Sequence, residues 1–380
     1  MNHTIVPLLI IHMNTSFKNL GVLLLLTLFH IATVRGQSIS TSSNGSNTSY
    51  VYKDNNQKLK IEYNGNIKIS ADGKSIASIS PGSELKIEKT TFGNSRAIVI
   101  KNDGNGLKHE YKEGGRSKAF EPDGRAWLAE ILPEIMNSTT LGAEERVASY
   151  YAKGGASAVL DLVDQLKGDF LKSTYLGLLM KKNLKASEIS ACIDKTMSEI
   201  DSDHYQLEVY KKIDPSYFKN VTQLSKVVSA LDSDHFKTEL LKPIFKTNVM
   251  QGNGTEAINL IKMIDSDHFK TEIAKSISFS SLTNQELKFM VDELVPEIDS
   301  DHFKNELLKT AFDKGTMDEA KALIILNGVE SIDSDHFKSE LLTYICKKQG
   351  SEKVKDKIME IAKSSIDSSH FLGEIARCAS

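Results

Sequence analysis

The stretch IDSDHFKTEI, residues 264–273, decides the fold of this chain because it recurs throughout the second half. Related copies begin at intervals of 31, 33, 34, 34 and 34 residues, at Ile200, Leu231, Ile264, Ile298, Ile332 and Ile366. A weaker copy, LKGDFLKSTYL at 166–176, lies one period earlier. A fixed period of about 34 residues is typical of a repeat array and leaves room for two helices and two turns.

Each unit contains two amphipathic segments. In residues 251–280, the apolar run EAINLIKMI is followed by Asp265, and then Phe269, Ile273 and Ile277 recur every fourth residue, as on one helix face. A single hairpin of this kind cannot bury its apolar face alone, whereas stacked neighbours can. Residues 141–380 are therefore predicted to form an α-solenoid of about seven hairpins.

The polar residues of the motif are those favoured at the start of a helix. Serine is a preferred N-cap residue, and an acid in the first turn interacts favourably with the helix dipole. The predicted N-caps are Ser202, Ser233, Ser266, Ser300, Ser334 and Ser368. The predicted first-turn acids are Asp203, Asp234, Asp267, Asp301 and Asp335. In the last copy Ser369 replaces the aspartate and Leu372 replaces the lysine, as expected of a terminal repeat.

The same motif invites a metal-site interpretation, which spacing argues against. Zinc ligands lie about 2.0–2.3 Å from the ion, whereas packed helices are about 8–10 Å apart, so histidines of neighbouring repeats cannot share one ion. No metal or other cofactor is predicted. A pH-sensing column of imidazoles stays open as an alternative, formed by His204, His235, His268, His302, His336 and His370.

Residues 51–120 have a different period. Alternating runs such as KLKIEY and NIKIS are separated by Asn64-Gly65, Asp72-Gly73 and similar pairs, which are strong hairpin signals. They predict an antiparallel β meander or small roll. Residues 121–140 then change to helical spacing and predict a connecting helix with Trp127 in its core face. The fold class is therefore α+β and multidomain.

The N-terminus looks like a targeting segment. The apolar run at 20–34 follows Lys18 and has the length of a signal-peptide core, so residues 1–36 are predicted to be cleaved before Gln37. An uncleaved membrane anchor is the alternative. Residues 37–50 are rich in Ser and Asn and are predicted to be a disordered linker. Of the three cysteines, Cys346 and Cys378 could pair, although buried free thiols are favoured.

Composition narrows the class of function. The net charge of −3 lacks the basic excess that nucleic-acid binding usually requires. No phosphate-binding loop, nucleophile elbow or H-E-x-x-H motif occurs, so the chain is predicted not to be an enzyme. No membrane span is expected after signal cleavage, and the oligomeric state is left open.

With its repeats laid out, the chain resembles a group of uncharacterised bacterial envelope and secreted proteins with S-D-[YFH]-x-K helical-hairpin repeats. Related repeat regions are attached to BlaR-type membrane metallopeptidases. The resemblance depends on DGRAWL at 123–128, AEERVASYYAKGG at 143–155 and the repeated Ser-Asp pairs. The peptidase part is absent, so no catalytic residue is implied. The expected function is an exported scaffold that binds a protein or peptide; an envelope sensor for a ligand, metal ion or pH is the alternative.

Overall fold

The computed structural model describes residues 32–34, 37–44, 47–247 and 250–379. The chain divides into two compact units, residues 1–131 and 132–380. The strands of the first unit are β1 (Ala32–Val34), β2 (Gln37–Asn44), β3 (Asn47–Lys53), β4 (Gln57–Asn64), β5 (Ile67–Ile69), β6 (Ile76–Ile79), β7 (Ser83–Thr91), β8 (Asn94–Asn102), β9 (Leu107–Glu113) and β10 (Arg116–Lys118).

The strands form an antiparallel meander. Eight of them pair in the order β1-β2-β3-β4-β7-β8-β9-β10, and β5 pairs with β6 in a separate hairpin. Ile61 lies opposite Ile87, which lies opposite Ile98 on the next strand. All three side chains are fully buried. The residues between these buried positions lie on the other face of the sheet, and many of them are charged. On that face Lys60 pairs with Glu62. The alternation in the sequence thus predicted the antiparallel sheet.

The predicted linker at 37–50 is wrong, because strands β2 and β3 cover most of it. Ladder hydrogen bonds join main-chain groups, so a Ser- and Asn-rich segment can extend a sheet that already has a hydrophobic face. Most of the predicted signal peptide, residues 1–36, lies outside the described residues. Its described portion, Ala32–Val34, pairs with Gln37–Ile39 of β2.

The helices are α1 (Arg125–Met136), α2 (Ala143–Val163), α3 (Asp169–Met180), α4 (Ala186–Glu199), α5 (Asp203–Tyr210), α6 (Val221–Ala230), α7 (Asp234–Phe245), α8 (Gly254–Lys262), α9 (Asp267–Ala274), α10 (Asn284–Phe289), α11 (Asp301–Lys314), α12 (Glu319–Asn327), α13 (Asp335–Lys348), α14 (Glu352–Ser365) and α15 (Ser369–Ala379). Helix α1 occupies the predicted connecting segment, and Trp127 on it is buried.

From α2 onward the described helices pair into seven hairpins, called repeats 1 to 7, from α2–α3 to α14–α15. The second helices contact one another in order, α3 with α5, α5 with α7, and so on to α15. The first helices do the same from α2 to α14. Apolar side chains between these two layers form the core. The predicted α+β fold with a solenoid of helical hairpins is confirmed.

Two further features concern the membrane and the cysteines. Among the described residues, no helix is both long enough and apolar enough to cross a membrane. Cys346 on α13 and Cys378 on α15 form a disulfide, so the preference for free thiols at these positions was wrong. The two cysteines meet because the second helices of consecutive repeats pack side by side.

Candidate functional site

The motif serines stand at helix N-termini, as predicted, but they do not cap in the predicted way. Five occupy the N-cap position of a second helix, and their hydroxyl groups make no hydrogen bond to its first turn: Ser202, Ser233, Ser266, Ser300 and Ser334. Ser368 directly precedes α15. The main-chain N–H of each of these serines instead donates to a carboxylate from the preceding repeat.

The acceptor is the second aspartate of the motif, which lies in the first turn as predicted. At every joint between consecutive repeats its Oδ2 accepts the serine N–H over 2.7–2.9 Å. At four joints the N–H of the leading aspartate, the residue before the serine, donates to the same carboxylate. The acceptors are Asp169, Asp203, Asp234, Asp267, Asp301 and Asp335.

These inter-repeat aspartate bonds stabilise the joint. A hydrogen bond to a charged group contributes about 1.5–3 kcal/mol, more than a neutral one. The carboxylate also lies at the positive end of its own helix dipole. One side chain therefore stabilises the start of its own helix and fixes the turn of the next repeat.

A lysine three residues later makes the complementary contact. Its ammonium donates to the main-chain carbonyl that precedes the motif of the next repeat, at 2.6–3.3 Å, from Lys172, Lys237, Lys270, Lys304 and Lys338. Lys270 is buried in this position, at 5% exposure. In repeat 2 the position is Gln206, which bonds instead to Ile200 of its own repeat.

The last repeat lacks both groups. Ser369 and Leu372 stand where repeat 6 has Asp335 and Lys338. The two positions that make the joint are thus replaced together in repeat 7. This paired replacement was visible in the sequence, although the sequence did not show which atoms the aspartate and the lysine bind.

The histidines form a column with aromatic rings. Each imidazole lies 5.0–5.5 Å from the ring that follows it in the sequence. The first five of them, His204 to His336, also lie 5.9–6.2 Å from the aromatic ring of the next repeat. Phe170 takes the histidine position in repeat 1 and contacts Tyr205. Imidazole and phenyl rings therefore alternate along one edge of the array.

Most histidines along this edge are exposed to solvent, but the described residues form no metal site there. His235, His268, His302, His336 and His370 are exposed, and His204 is half-buried. Two of the imidazoles face a glutamate one helical turn on, at 3.4 Å for His235–Glu239 and 3.7 Å for His370–Glu374. Within the described residues, no group of three or more His, Cys, Asp or Glu side chains could hold an ion.

A second charged ladder runs along the second helices. A lysine of one repeat pairs with a glutamate of the next in Lys211–Glu239, Lys242–Glu272, Lys275–Glu306 and Lys309–Glu340. The hydrogen bond from Lys242 holds the pKa of Glu272 below its usual value, and the bond from Lys211 does the same for Glu239. These pairs are partly exposed, so each contributes modestly.

The remaining thiol does not suit nucleophilic chemistry. Cys192 is fully buried, and desolvation raises its pKa to about 12, so it is protonated at neutral pH.

No protein-family model and no curated protein matches the chain. The arrangement of the motif can fix the stacking of repeats and present a repeated surface, and these are the properties from which a function can be argued.

Proposed function

We propose that the protein is an exported, non-enzymatic scaffold that binds a protein or peptide partner through the surface of its solenoid. The observation that carries this proposal is that only some residues of the DSDHFK motif are used to connect the repeats. Its second aspartate and its lysine are bonded to the next repeat, whereas the leading aspartate and the histidine remain exposed in repeat after repeat. Solenoids commonly use such extended repeated surfaces for binding.

Export is supported by two independent features. The apolar run at 20–34 has signal-peptide character, and the Cys346–Cys378 disulfide fits an oxidising compartment. Mass spectrometry of the processed protein from culture medium or periplasm should find Gln37 at its N-terminus. A protein that keeps residues 1–36 and sediments with membranes would favour the anchored alternative.

The scaffold proposal is tested by affinity capture. Residues 37–380 are immobilised and exposed to envelope extract, and bound proteins are compared with those held by a variant in which four exposed imidazoles are removed, His235, His268, His302 and His336→Ala. A partner held by the native chain and lost from the variant supports the proposal. Repeated failure to capture any saturable partner contradicts it.

The sensor function remains the second candidate because the alternating column of imidazole and aromatic rings links the repeats. Thermal melts between pH 5 and 8, with and without Zn²⁺ or Ca²⁺, test it. A flat response removes this candidate.

A further inference from the structure

We propose that one end of the β-sheet docks on the surface of a bilayer that contains anionic phospholipid, with the ring of Phe92 inserted among the headgroups. This end, called the Phe92 end, consists of the turns at residues 54–56 (β3 to β4), 92–93 (β7 to β8) and 114–115 (β9 to β10). The site belongs to the sheet and is independent of the solenoid surface proposed above.

The three turns lie side by side. The main-chain N–H of Phe92 donates to the carbonyl of Asn56 at 2.8 Å, which joins the first turn to the second. The N–H of Gly114 donates to the carbonyl of Ser95 at 2.8 Å, which joins the third turn to the strand that leaves the second. The Phe92 end is therefore one continuous surface.

The first argument is the exposure of Phe92. Its side chain is 77% exposed, and the only other exposed large hydrophobic side chain in the described part of the sequence is that of Phe170, at 47%. The ring of Phe170 lies 6.0 Å from that of Tyr205, whereas Phe92 makes no ring contact with any described residue. A single exposed apolar side chain is common in soluble proteins, so the argument needs the backbone of Phe92 as well.

The second argument is that this turn disfavours phenylalanine. Phe92 and Gly93 form a two-residue hairpin loop with φ values of 48° and 81°. Loops with two positive φ values favour Asn, Asp or Gly at the first position, and a bulky side chain is strained there. The loop between β9 and β10 has the same form, with φ values of 56° and 77°, and its residues are Gly114 and Gly115. The fold therefore does not require an aromatic residue at position 92, and its presence points to a contact outside the chain.

The third argument is the positive charge of the Phe92 end. The segments that form it contain seven Lys and Arg against three Asp and Glu, at residues 53–58, 88–96 and 112–118. The whole chain has a net charge of −3. The segments at the opposite end of the sheet contain three residues of each sign, at 62–67, 79–86 and 100–108. The excess of cations is thus specific to the end that carries Phe92.

Several of these cations are not neutralised within the protein. Lys53 and Lys58 are exposed and lie directly opposite each other on β3 and β4, where like charges repel. Lys112 and Arg116 are exposed as well. Within the described residues, none of the four takes part in an ion pair. An anionic surface would relieve the repulsion between the two lysines.

The fourth argument selects a bilayer as the partner. Aromatic anchors in protein interfaces are surrounded by packed residues that exclude water. The exposed residues of the three tips other than Phe92 are small or polar: Asn55, Asn56, Gly93, Asn94, Gly114 and Gly115. A bilayer interface needs no complementary shape, accepts single aromatic rings, and attracts Lys and Arg when its lipids are anionic. Binding there grows with both the inserted apolar area and the charge, and the Phe92 end supplies both.

The test is co-sedimentation of residues 37–380 with lipid vesicles. One set contains phosphatidylcholine alone, and the other contains one part of phosphatidylglycerol to three parts of phosphatidylcholine. At low salt the chain should bind the anionic vesicles about tenfold more tightly than the neutral ones, and raised salt should release it. Equal binding to both sets, or binding to neither, overturns the proposal.

Phe92→Asn separates the ring from the charge. Asparagine is favoured at a positive φ, so the variant should melt at or above the temperature of the native chain. Its affinity for anionic vesicles should nevertheless fall about tenfold. The control is Phe170→His, which replaces the other exposed phenylalanine by the residue that later repeats have at this position and should bind within about twofold of the native chain. Unchanged binding of Phe92→Asn refutes the insertion of the ring.

A second pair of variants locates the charge. Replacing Lys53 and Lys58 with Gln should weaken binding to anionic vesicles about tenfold. Replacing Lys101 and Lys108 with Gln removes the same charge from exposed positions at the opposite end of the sheet and should change binding by no more than about twofold. Equal weakening by both variants contradicts the Phe92 end as the docking surface.

Phe92→Trp reports insertion directly. The chain has a single tryptophan, Trp127, which is buried. The emission of the variant should shift to shorter wavelength when anionic vesicles are added, and that of the native chain should not. Vesicle binding without this shift overturns the proposal. So does a protein that is captured by the native chain and lost from Phe92→Asn when neither sediments with vesicles, because the tip would then bind a protein.

Discussion

Lys304 donates a hydrogen bond of 2.6 Å from Nζ to the main-chain oxygen of Ser331, 27 residues further along the chain. Its side chain is only 8% exposed and also lies 3.8 Å from Asp301 in its own helix. An ammonium group buried to this degree needs hydrogen-bond partners to offset its desolvation. The contact therefore couples the folding of repeat 5 to that of repeat 6.

Replacing Lys304 with methionine should destabilise the array. The change keeps the length of the side chain but leaves the Ser331 carbonyl without this donor, which costs about 1–3 kcal/mol. Urea denaturation followed by circular dichroism measures the effect. Lys288→Met is the control, because Lys288 is 59% exposed and its ion pair is with Asp292, four residues further along the chain. Its loss should cost no more than about 0.5 kcal/mol. Equal destabilisation by both changes would refute the assigned function of Lys304.

Asp301 and Asp299 provide a matched pair in one motif. Asp301→Ala removes the acceptor of the Asp333 and Ser334 N–H groups and should lower the free energy of unfolding by about 1.5–3 kcal/mol. Asp299→Ala removes an exposed carboxylate and should change it by less than about 0.5 kcal/mol. The same denaturation experiment compares them. A larger loss from Asp299→Ala would show that the joint has been misassigned.

The glutamate–lysine ladder predicts a loss of stability in acid. The pKa values of Glu239, Glu272 and Glu340 are lowered, chiefly by hydrogen bonds from lysines of the preceding repeats. A lowered pKa in the folded state stabilises the protein above the unfolded value, near 4.5, and this contribution is lost as the pH falls through the folded value. Melting temperatures should therefore fall between pH 5 and 3.

Lys242→Met tests the origin of this pH dependence. The variant should be slightly less stable than the native chain at pH 7, by less than about 1 kcal/mol because the Lys242–Glu272 pair is partly exposed. It should also lose less stability on acidification, because Glu272 then no longer has its main stabilising partner. If the melting temperature of the variant falls as steeply on acidification as that of the native chain, the Lys242–Glu272 pair is not a source of the pH dependence.

The disulfide should stabilise the last repeat in particular. Cys346 and Cys378 are separated by 32 residues, and closing a loop of that size contributes about 3–4 kcal/mol in the chain-entropy model. Hydrogen exchange of the Cys346→Ser variant should become faster in α15 and stay unchanged in α5. Treatment of the native chain with a thiol reductant provides a second comparison. Uniform acceleration throughout the array would contradict a local effect.

The array was predictable from the sequence because its period and its apolar spacing are local patterns. The prediction for Ser266 and Asp267 was incomplete because their contacts are not local in the sequence. Sequence places both at the start of α9, but the carboxylate bonds to Ser300 of the next repeat, and only the packing of α9 beside α11 brings these atoms together. A similar limit applies to residues 37–50, whose polar composition hides strands that pair through their main chain.

Each repeat holds its successor through main-chain atoms, because the aspartate accepts from N–H groups and the lysine donates to a carbonyl. Any hairpin with the same turn offers those atoms, whatever its side chains. The hairpins therefore share one main-chain connection, and duplication of one 34-residue segment of the gene could lengthen the array with this connection intact. The direction is fixed as well, because the acid and the base belong to one repeat and the main-chain atoms that they hold belong to the next.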